Sequence, residues 1–454
     1  MAELDIHNPV ASSFGEEEKR LLQECTHCGF CLPSCPTYTI NGMEMDSPRG
    51  RLYLMQAAMN KRIDLSIPFL EHMNLCLTCR ACETACPSGV EFGHLMEKTR
   101  AVVLSLQSHT RISRWISSFF LQKVIPSHHS LSFLFKLLWI YERMGFQWLM
   151  RHTPINLLFP EKFRLLEGSL PRIPLRSFGR GKRHTFDAMN EKRGKVALFT
   201  GCIMDHLFPG VHRSTVRLLS WHGYEVVVPK EQGCCGALHS HIGDNKTARK
   251  LAESNLSVFQ NMDLDAIIVN AAGCSAHLKN YHRYDTHSNS TEFTKKVKDL
   301  TEFLVEIGLR EPQNRLNLKV VYDEPCHLIH GQGITKEPKK LIKAIPGVTI
   351  LPLEESDKCC GSAGIYSLSQ IAMSLDILKR KMDFIEASCA DAVVTANPGC
   401  QIQLEWGVRQ RKSNVQVLHI ADLLDRSYWK DKGYIRRVPS NLPSRKPRSS
   451  EEHA

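Results

Sequence analysis

The sequence predicts a multidomain protein in which an α-helical N-terminal part precedes two tandem α/β domains. Three observations lead to this fold class. Two cysteine runs of one pattern lie in the first hundred residues, residues 195–430 repeat internally at an offset of about 125 residues, and a chain of 454 residues has room for roughly two to four domains.

The N-terminal cysteine runs have a spacing that is typical of iron–sulfur proteins. ECTHCGFCLPSCPTY occupies residues 24–38, and LCLTCRACETACPSG repeats its cysteines 51 residues later. Both follow C-x2-C-x2-C-x3-C-P, with which bacterial ferredoxins hold two 4Fe–4S clusters, the fourth cysteine of each run binding the other cluster. The predicted ligands are Cys25, Cys28, Cys31 and Cys86 for cluster one, and Cys76, Cys79, Cys82 and Cys35 for cluster two.

Two other uses of the cysteines explain the runs less well. Zinc sites commonly use two C-x2-C pairs and have no need of a third close cysteine followed by C-P. A disulfide framework is disfavoured because the cytoplasm, where we expect the protein, keeps thiols reduced. The 39 residues between the runs include RGRLYLMQAAMN and IPFLEHMNLC, which we expect to be helical. Residues 1–100 are therefore predicted to form a helical ferredoxin-like domain with two clusters.

Residues 195–430 contain two copies of one segment. KVALFTGC corresponds to KVVYDEPC, GCCGALHSH to KCCGSAG, and AIIVNAAGC to AVVTANPGC, at offsets of 124, 125 and 126 residues. Each copy alternates strands and helices, which predicts a parallel sheet with right-handed helical crossovers. We therefore predict two tandem α/β cysteine-rich domains of the CCG type, at 195–317 and 318–430.

The cysteines of each copy are expected to converge on one place. The single cysteines follow buried strands, and open α/β sheets bind ligands at the carboxyl ends of their strands. Eight cysteines are therefore additional candidate ligands for one or two further clusters: Cys202, Cys234, Cys235, Cys274, Cys326, Cys359, Cys360 and Cys400. Cys389 has no counterpart in the first copy, and we expect it to be a small buried hydrophobe.

The segment between these parts, residues 101–194, is predicted to be a basic helical linker. Residues 101–195 carry sixteen Lys and Arg against five Asp and Glu, and the aromatic helices break at Pro126. Its apolar faces either pack on the neighbouring domains or lie on an anionic membrane surface. Nucleic-acid binding is not expected, because no binding motif accompanies the charge. Residues 431–454 are predicted to be a flexible basic tail.

Motifs that are absent from the sequence also limit the function. The start MAELDIHNP has no signal-peptide pattern, and no window holds 18 consecutive apolar residues. We therefore expect a cytoplasmic protein, and peripheral contact with the inner face of the cytoplasmic membrane stays open as an additional feature. No G-x-G-x-x-G follows a strand, so we expect no flavin or NAD on this chain. No nucleophile–His–acid set is visible, and no catalytic residue is assigned.

Several stretches together resemble a known family. They are CTHCGFCLPSCPTY, DSPRGRLYLM, CLTCRACETACPSGV and the two CCG repeats with NAAGC and NPGC. Over nearly the whole chain the sequence resembles the iron–sulfur subunit of glycolate oxidase, a membrane-associated bacterial 2-hydroxyacid dehydrogenase complex. The resemblance implies an electron-transfer subunit that takes electrons from FAD-containing 2-hydroxyacid oxidase subunits and relays them toward a quinone-type acceptor. The substrate implied is glycolate or D-lactate, and the isolated chain would be inactive on it.

Other functions remain open at this point. The anaerobic glycerol-3-phosphate dehydrogenase iron–sulfur subunit also joins a ferredoxin part to two CCG repeats, and heterodisulfide reductase uses the CCG module in a catalytic subunit. The last cysteine of each heterodisulfide reductase repeat belongs to a C-x-x-C pair, whereas here the pair positions hold His277 and Gln403. An assembly scaffold with degenerate clusters is a third alternative, disfavoured by the complete set of eight N-terminal cysteines.

The histidines near the CCG motifs are candidates for ligands or for proton donors to a quinone. They are His239, His241, His327 and His330. The simpler expectation is that they donate and accept hydrogen bonds that shape the loops.

Overall fold

The computed structural model describes residues 9–106, 118–179, 184–284 and 289–429. Within these ranges it contains a helical N-terminal part, a helical middle segment and two sheets. The tail predicted for residues 431–454 lies outside the described residues. The domain boundaries given above stay predictions.

The N-terminal part consists of short helices around one apolar core. Helix Pro48–Met59 begins where the Ser47 hydroxyl accepts a hydrogen bond from the Gly50 amide at 3.0 Å, and the proline occupies the first turn, where an amide hydrogen is not needed. The two helices expected between the cysteine runs are present. The helices are Pro9–Ser13, Glu16–Gln23, Pro36–Asn41, Glu44–Asp46, Pro48–Met59, Ile67–Asn74, Ala81–Thr84 and Phe92–Leu106.

In its described residues, the middle segment packs one face on the protein and leaves another exposed. Leu131 and Ser132 of its longest helix are buried, and the ring of Phe135 stacks on His206 of the first repeat at 5.0 Å. None of the helices in the described ranges is both long and apolar enough to span a membrane. The helices are Phe120–Val124, His128–Arg143, Phe146–His152, Pro154–Leu158 and Glu161–Ser169, with the expected break at Pro126 between the first two.

The first repeat forms a five-stranded sheet with the order β1-β3-β2-β4-β5. Its strands are β1 (Thr185–Phe186), β2 (Gly194–Phe199), β3 (Tyr224–Val227), β4 (Ala266–Val269) and β5 (Val297–Asp299). All neighbours are parallel except β1, which pairs antiparallel with β3 and comes from the segment predicted to be a linker. The helices are Ile203–Leu207, Pro209–Trp221, Ala237–Ile242, Asn245–Phe259, Ala272–Leu278, Tyr281–Arg283, Asn289–Lys296 and Leu300–Glu306.

The second repeat forms a four-stranded parallel sheet with the order β7-β6-β8-β9. Its strands are β6 (Leu318–Tyr322), β7 (Val348–Ile350), β8 (Ala392–Thr395) and β9 (Gln416–His419). Its helices are Cys326–Gln332, Glu337–Lys343, Tyr366–Ser369, Ile371–Ala387, Pro398–Arg411 and Ile420–Tyr428. β6 has the same place in this sheet as β2 in the first, so the repeat seen in the sequence is a repeat of the fold.

The three folded parts meet closely near the cysteines. The Ala272 amide donates to the Ala396 carbonyl at 3.2 Å, which joins the two repeats directly after β4 and β8. The Tyr366 hydroxyl of the second repeat donates to the Leu75 carbonyl at 2.9 Å, one residue before the second cysteine run. The helix Phe92–Leu106 passes so close to Gly243 of the first repeat that a Cβ there would lie 2.4 Å from the Arg100 carbonyl carbon.

We predict that Gly243→Ala destabilises the protein by more than its backbone conformation alone requires. Gly243 has φ +92° and faces the Arg100 backbone, so alanine adds a clash to the cost of a left-handed residue. Gly333→Ala is the matched control, because Gly333 also ends a helix with positive φ but a Cβ added there would have no atom within 4 Å. Denaturant unfolding should give a loss of about 1–2 kcal/mol for the control and clearly more for Gly243→Ala. Equal losses would contradict this close packing.

Candidate functional site

The cysteines predicted for cluster one surround a common cavity. Its walls include the thiols of Cys25, Cys28, Cys31 and Cys86. The loop that presents them turns through two left-handed residues, His27 with φ 54° and Gly29 with φ 87°. Cys28 is exposed and the other three are partly buried, so this set lies near the protein surface.

The cysteines predicted for cluster two surround a second, more deeply buried cavity. Cys35, Cys76, Cys79 and Cys82 line it, and all four are buried. Thr78 and Arg80 are left-handed, at the positions that correspond to His27 and Gly29, so both runs form the same loop. Cys82 borders both cavities, which places the two sets side by side.

Burial sets the chemistry of these thiols. It raises the pKa of Cys31 to about 11 and raises the pKa values of Cys79 and Cys82 well above the ordinary thiol value. Neighbouring cysteines add to the shift at Cys79 and Cys82, because adjacent thiolates repel one another. Such thiols ionise when a cation binds between them, which is how metal ligation stabilises thiolates. The donor set therefore fits iron–sulfur clusters.

A buried polar network supports the second set from behind. The Arg51 guanidinium lies 4.0 Å from the Cys35 sulfur and 3.5 Å from Asp46, and it is 1% exposed. His72 completes the network, with its Nδ1 2.8 Å from the Asp46 carboxylate. Hydrogen bonds and charge near cluster sulfurs are means by which proteins adjust reduction potentials.

The first repeat brings its four cysteines together at the carboxyl ends of its strands. The Cys202 and Cys234 sulfurs are 3.5 Å apart, and those of Cys235 and Cys274 are 3.3 Å apart. Gly201, directly before Cys202, has φ +66°, a left-handed conformation that glycine adopts without strain. The expected convergence of these thiols is therefore present.

The second repeat gathers its four cysteines in the same way. Their thiols contact one another in series: Cys326 contacts Cys359, Cys359 contacts Cys360, and Cys360 contacts Cys400. Interaction with neighbouring thiols and burial together raise the pKa values of Cys359 and Cys400 well above the ordinary value. Cys359 also packs with Cys79 in one buried apolar cluster, so this set adjoins the second ferredoxin set.

The two repeats differ at the positions that follow the last cysteine. The glycine of each CCG motif is left-handed, and its Cβ position lies 3.3 Å from His277 Nε2 in the first repeat and 3.4 Å from Gln403 Nε2 in the second. The Gln403 amide donates to Ser374 at 2.9 Å, whereas His277 Nε2 is buried and has no hydrogen-bond partner among the described residues. The sequence identified both positions but could not show this difference in pairing.

A buried ion pair beside the second-repeat cysteines was not predicted from the sequence. Lys381 and Asp323 lie 3.1 Å apart, and both side chains are at most 2% exposed. Burial acts to lower the pKa of Lys381, but the Asp323 carboxylate outweighs it and the pKa is raised. The positions that correspond in the first repeat hold Phe199 and Asn255, so the comparison of the two copies gave no signal for this pair.

The histidines near the CCG motifs have different surroundings. His239 hydrogen-bonds the Leu121 carbonyl at 2.7 Å, and His330 contacts Thr84 at 2.9 Å and the Asp357 carbonyl at 3.1 Å, so these two connect loops as expected. His241 lies 3.0 Å from Glu97, and His327 Nδ1 lies 3.4 Å from the Cys326 sulfur.

The expectation for Cys389 was wrong. Its side chain is exposed, not buried. Cys389 has φ 53° in the left-handed turn that joins helix Ile371–Ala387 to the buried strand Ala392–Thr395, and its side chain faces solvent in this turn.

Family models match most of the chain. A 4Fe-4S dicluster domain matches residues 21–90, and the Cysteine-rich domain matches residues 196–279 and 320–405. The linker region of the glycolate oxidase iron-sulfur subunit matches residues 112–170. The "Probable glycolate oxidase iron-sulfur subunit" of Bacillus subtilis (strain 168) is 36% identical over 429 residues, which are 92% of this chain and 96% of that protein.

The chain belongs to the family of glycolate oxidase iron–sulfur subunits. The member named "Glycolate oxidase iron-sulfur subunit" in Escherichia coli (strain K12) is 30% identical, with 91% of this chain and 96% of that protein covered. A more distant relative is a subunit of the "Fumarate reductase (CoM/CoB)" of Methanothermobacter marburgensis, which is 28% identical over 91% of this chain and 74% of that protein.

A solved structure shares the fold of this family member. It is titled "Crystal structure of a hypothetical protein from Helicobacter pylori" and matches with a TM-score of 0.51 and 10% identity, over 92% of this chain and 74% of that chain. The matched dicluster and cysteine-rich domains agree with the fold class expected from the sequence. The chain is an iron–sulfur subunit of an oxidoreductase of the glycolate oxidase type.

We predict that Lys381→Met destabilises the protein by about 3–5 kcal/mol, because it leaves Asp323 buried without its counter-ion. Lys192→Met is the control, since Lys192 pairs with Glu225 at 2.6 Å on the surface. Denaturant unfolding of the control should stay within about 1 kcal/mol of the unmodified protein. Similar stabilities of the two variants would show that the buried pair contributes nothing.

Proposed function

We propose that this chain is the electron-transfer subunit of a complex that oxidises a 2-hydroxy acid, with glycolate as the first candidate and D-lactate as the second. It takes electrons from a flavin on a partner subunit and passes them toward a quinone-type acceptor. The observation that carries this proposal is the contact of successive cysteine sets, in which Cys82 borders both ferredoxin cavities and Cys79 packs with Cys359.

The proposed ligands follow the two cavities. Cys25, Cys28, Cys31 and Cys86 would hold cluster one, and Cys35, Cys76, Cys79 and Cys82 would hold cluster two. When bound, a 4Fe–4S cluster accepts and releases single electrons at a potential that its surroundings set. Cys28 is exposed, so cluster one is the natural point of contact with the flavoprotein partner. The buried residues around Cys79 exclude water from the interior of the path.

We extend the proposal to a further cluster in each repeat. The supporting observation is that each repeat places four cysteines together at the carboxyl ends of its strands, as the sulfur distances of 3.5 and 3.3 Å in the first repeat illustrate. Cys202 and Cys234 pack against Ile125 and Leu131 of the middle segment. The first-repeat set therefore lies on the side of the molecule that the middle segment covers.

Iron content tests the ligand assignment. Protein purified without oxygen should contain at least about eight iron atoms per chain, which corresponds to two 4Fe–4S clusters. Cys28→Ser should remove about four of them, because serine is a poorer ligand for iron–sulfur clusters than thiolate. Cys389→Ser is the matched control, since Cys389 belongs to none of the four sets. Zinc in place of iron, or the same loss in both variants, would refute the assignment. Unchanged iron in both Cys235→Ser and Cys360→Ser would restrict the chain to two clusters.

Activity should depend on a flavoprotein partner. We predict that the isolated chain does not oxidise glycolate or D-lactate with an artificial acceptor, because the sequence offers no flavin or nicotinamide motif. Co-expression with a flavoprotein of the 2-hydroxyacid oxidase type should give a complex that co-purifies and is active. Glycolate oxidation by the isolated chain, at the rate of the complex, would eliminate the subunit role.

We also propose that the middle segment rests on an anionic membrane surface. Of the 23 large hydrophobic side chains that are exposed in the described residues, 13 lie between 119 and 163. On helix His128–Arg143 the exposed Phe133, Leu137 and Ile140 share one face, while Lys136 and Arg143 add positive charge beside it. Apolar side chains flanked by basic ones are typical of helices that lie in the membrane interface.

We predict that replacing Leu137 and Ile140 together by glutamate abolishes flotation of the protein with vesicles containing phosphatidylglycerol. The change removes the apolar side chains that would enter the membrane and adds negative charges that the anionic lipid headgroups repel. Ile67→Glu is the control, because Ile67 is 71% exposed on the N-terminal part, away from this surface. The control should float like the unmodified protein. Undiminished flotation of the double variant would exclude this helix as the membrane contact.

A further inference from the structure

A cleft opens where the ferredoxin part meets both repeats. Its inner chamber has a cavity volume of about 50 Å³, enough for the end of a small ligand, and its outer chamber has about 520 Å³. Helix Phe92–Leu106 forms one wall, and the residues after Cys274 and Cys326 form others. Glu97, His94, Arg283 and Tyr284 border both chambers, so the two are continuous.

The inner chamber contains polar groups that the protein does not pair. His277 is 6% exposed, and its Nε2 has no hydrogen-bond partner within the described ranges; the same holds for Nε2 of His327. Burial lowers the pKa of His277 to about 4, so its ring is neutral at neutral pH. A buried polar atom without a partner costs about 1–3 kcal/mol, and such atoms call for a ligand or a water.

Arg80 brings a positive charge to the same chamber at some conformational cost. It is left-handed, with φ 64°, where the corresponding residue of the first cysteine run is a glycine. Its Nε and Nη2 face Glu83, at 2.9 and 2.8 Å. A Cβ on Gly93 would lie 3.3 Å from Arg80 Nε, so the absence of a side chain at Gly93 leaves space for the Arg80 guanidinium.

The outer chamber is strongly basic. Five of its side chains are cationic and two are anionic: Lys98, Lys246, Arg249, Lys250 and Arg283 against Glu97 and Glu253. Lys246, Arg249 and Lys250 are exposed and lie on one face of helix Asn245–Phe259. A concave site with one sign of charge concentrates counter-ions and guides them inward.

The lining selects among classes of ligand. The described residues that line the outer chamber include no large aliphatic side chain, so they offer no path for the tail of a lipid quinone. Within the described part of the chain, His277 and His327 belong to no group of three potential ligand atoms within 4.8 Å of one another, so they do not form a compact metal site. Guanidinium groups beside imidazole N–H donors instead suit the oxygens of a carboxylate or a phosphate.

We infer that this junction cleft binds a small, water-soluble organic anion through its carboxylate or phosphate oxygens. Arg80 and Arg283 bind the charged oxygens, and His277 and His327 hydrogen-bond the polar groups that reach the inner chamber. The bound anion touches residues within three positions of Cys79, Cys274 and Cys326, and so contacts the ferredoxin part and both repeats at once.

Calorimetric titration of the full chain, purified without oxygen, tests this site with oxalate and inorganic phosphate as probes. At least one probe should bind, and Arg283→Gln should weaken its binding about tenfold or more, as expected for loss of a charge-assisted hydrogen bond. Arg249→Gln, an exposed residue of the outer chamber, should also weaken binding. Arg411→Gln is the matched control, because Arg411 pairs with Asp383 at 2.7 Å on the surface, away from the cleft.

The outcomes separate the site from nonspecific attraction and from the proposed function. Binding of oxalate alone identifies a carboxylate ligand, and binding of phosphate alone identifies a phosphate-bearing one. Absence of binding at millimolar concentrations, or equal weakening in Arg283→Gln and Arg411→Gln, would overturn the inference. Iron is measured on the same samples, so a protein that holds its iron but binds neither probe refutes the cleft alone. A protein that binds a probe without iron refutes the electron-transfer proposal alone.

Discussion

The arrangement of the cysteine sets depends on one buried arginine. Arg100 extends from helix Phe92–Leu106 and donates to the carbonyls of Met73 and Asn74 at the end of helix Ile67–Asn74 and of Cys76 in the second cysteine run. It also donates to the His241 carbonyl of the first repeat at 2.7 Å. Burial lowers the pKa of its guanidinium. Because hydrogen bonds to charged groups contribute about 1.5–3 kcal/mol each, this side chain fixes the ferredoxin loop against the repeat.

With that junction fixed, the molecule brings cysteines from distant parts of the chain into one cluster. Cys79 and Cys359 belong to the same buried apolar cluster although 280 residues separate them in sequence. The two repeats share a fold but surround their cysteines differently. The second has the buried Lys381–Asp323 pair and a hydrogen-bonded Gln403, whereas in the first His277 Nε2 has no hydrogen-bond partner among the residues that the structure describes. Since charge and hydrogen bonding set reduction potentials, we expect any clusters held by the two repeats to differ in potential.

The sequence was most informative where a local spacing has a physical cause. The C-x2-C-x2-C-x3-C-P runs and the offset between copies were enough to predict the helical and α/β parts and the convergence of each cysteine set. Features that depend on long-range packing were not predicted. Arg100, Lys381 and the junction cleft each need contacts between residues far apart in sequence, and the exposure of Cys389 depends on a single left-handed turn. The apolar face of the middle segment was left open between two interpretations, and the exposure of Leu137 and Ile140 favours the membrane surface.

Electron delivery through the complex tests the central claim most directly. The chain and its flavoprotein partner would be mixed rapidly and without oxygen with glycolate and a water-soluble quinone, while the flavin and iron–sulfur absorptions are followed separately. In the unmodified complex we expect the flavin and iron–sulfur absorptions both to change and the quinone to be reduced. With Cys28→Ser, the flavin should still be reduced, but quinone reduction should fall to the level of the flavoprotein alone. Quinone reduction at the unmodified rate in that variant would contradict an electron path through the ferredoxin part.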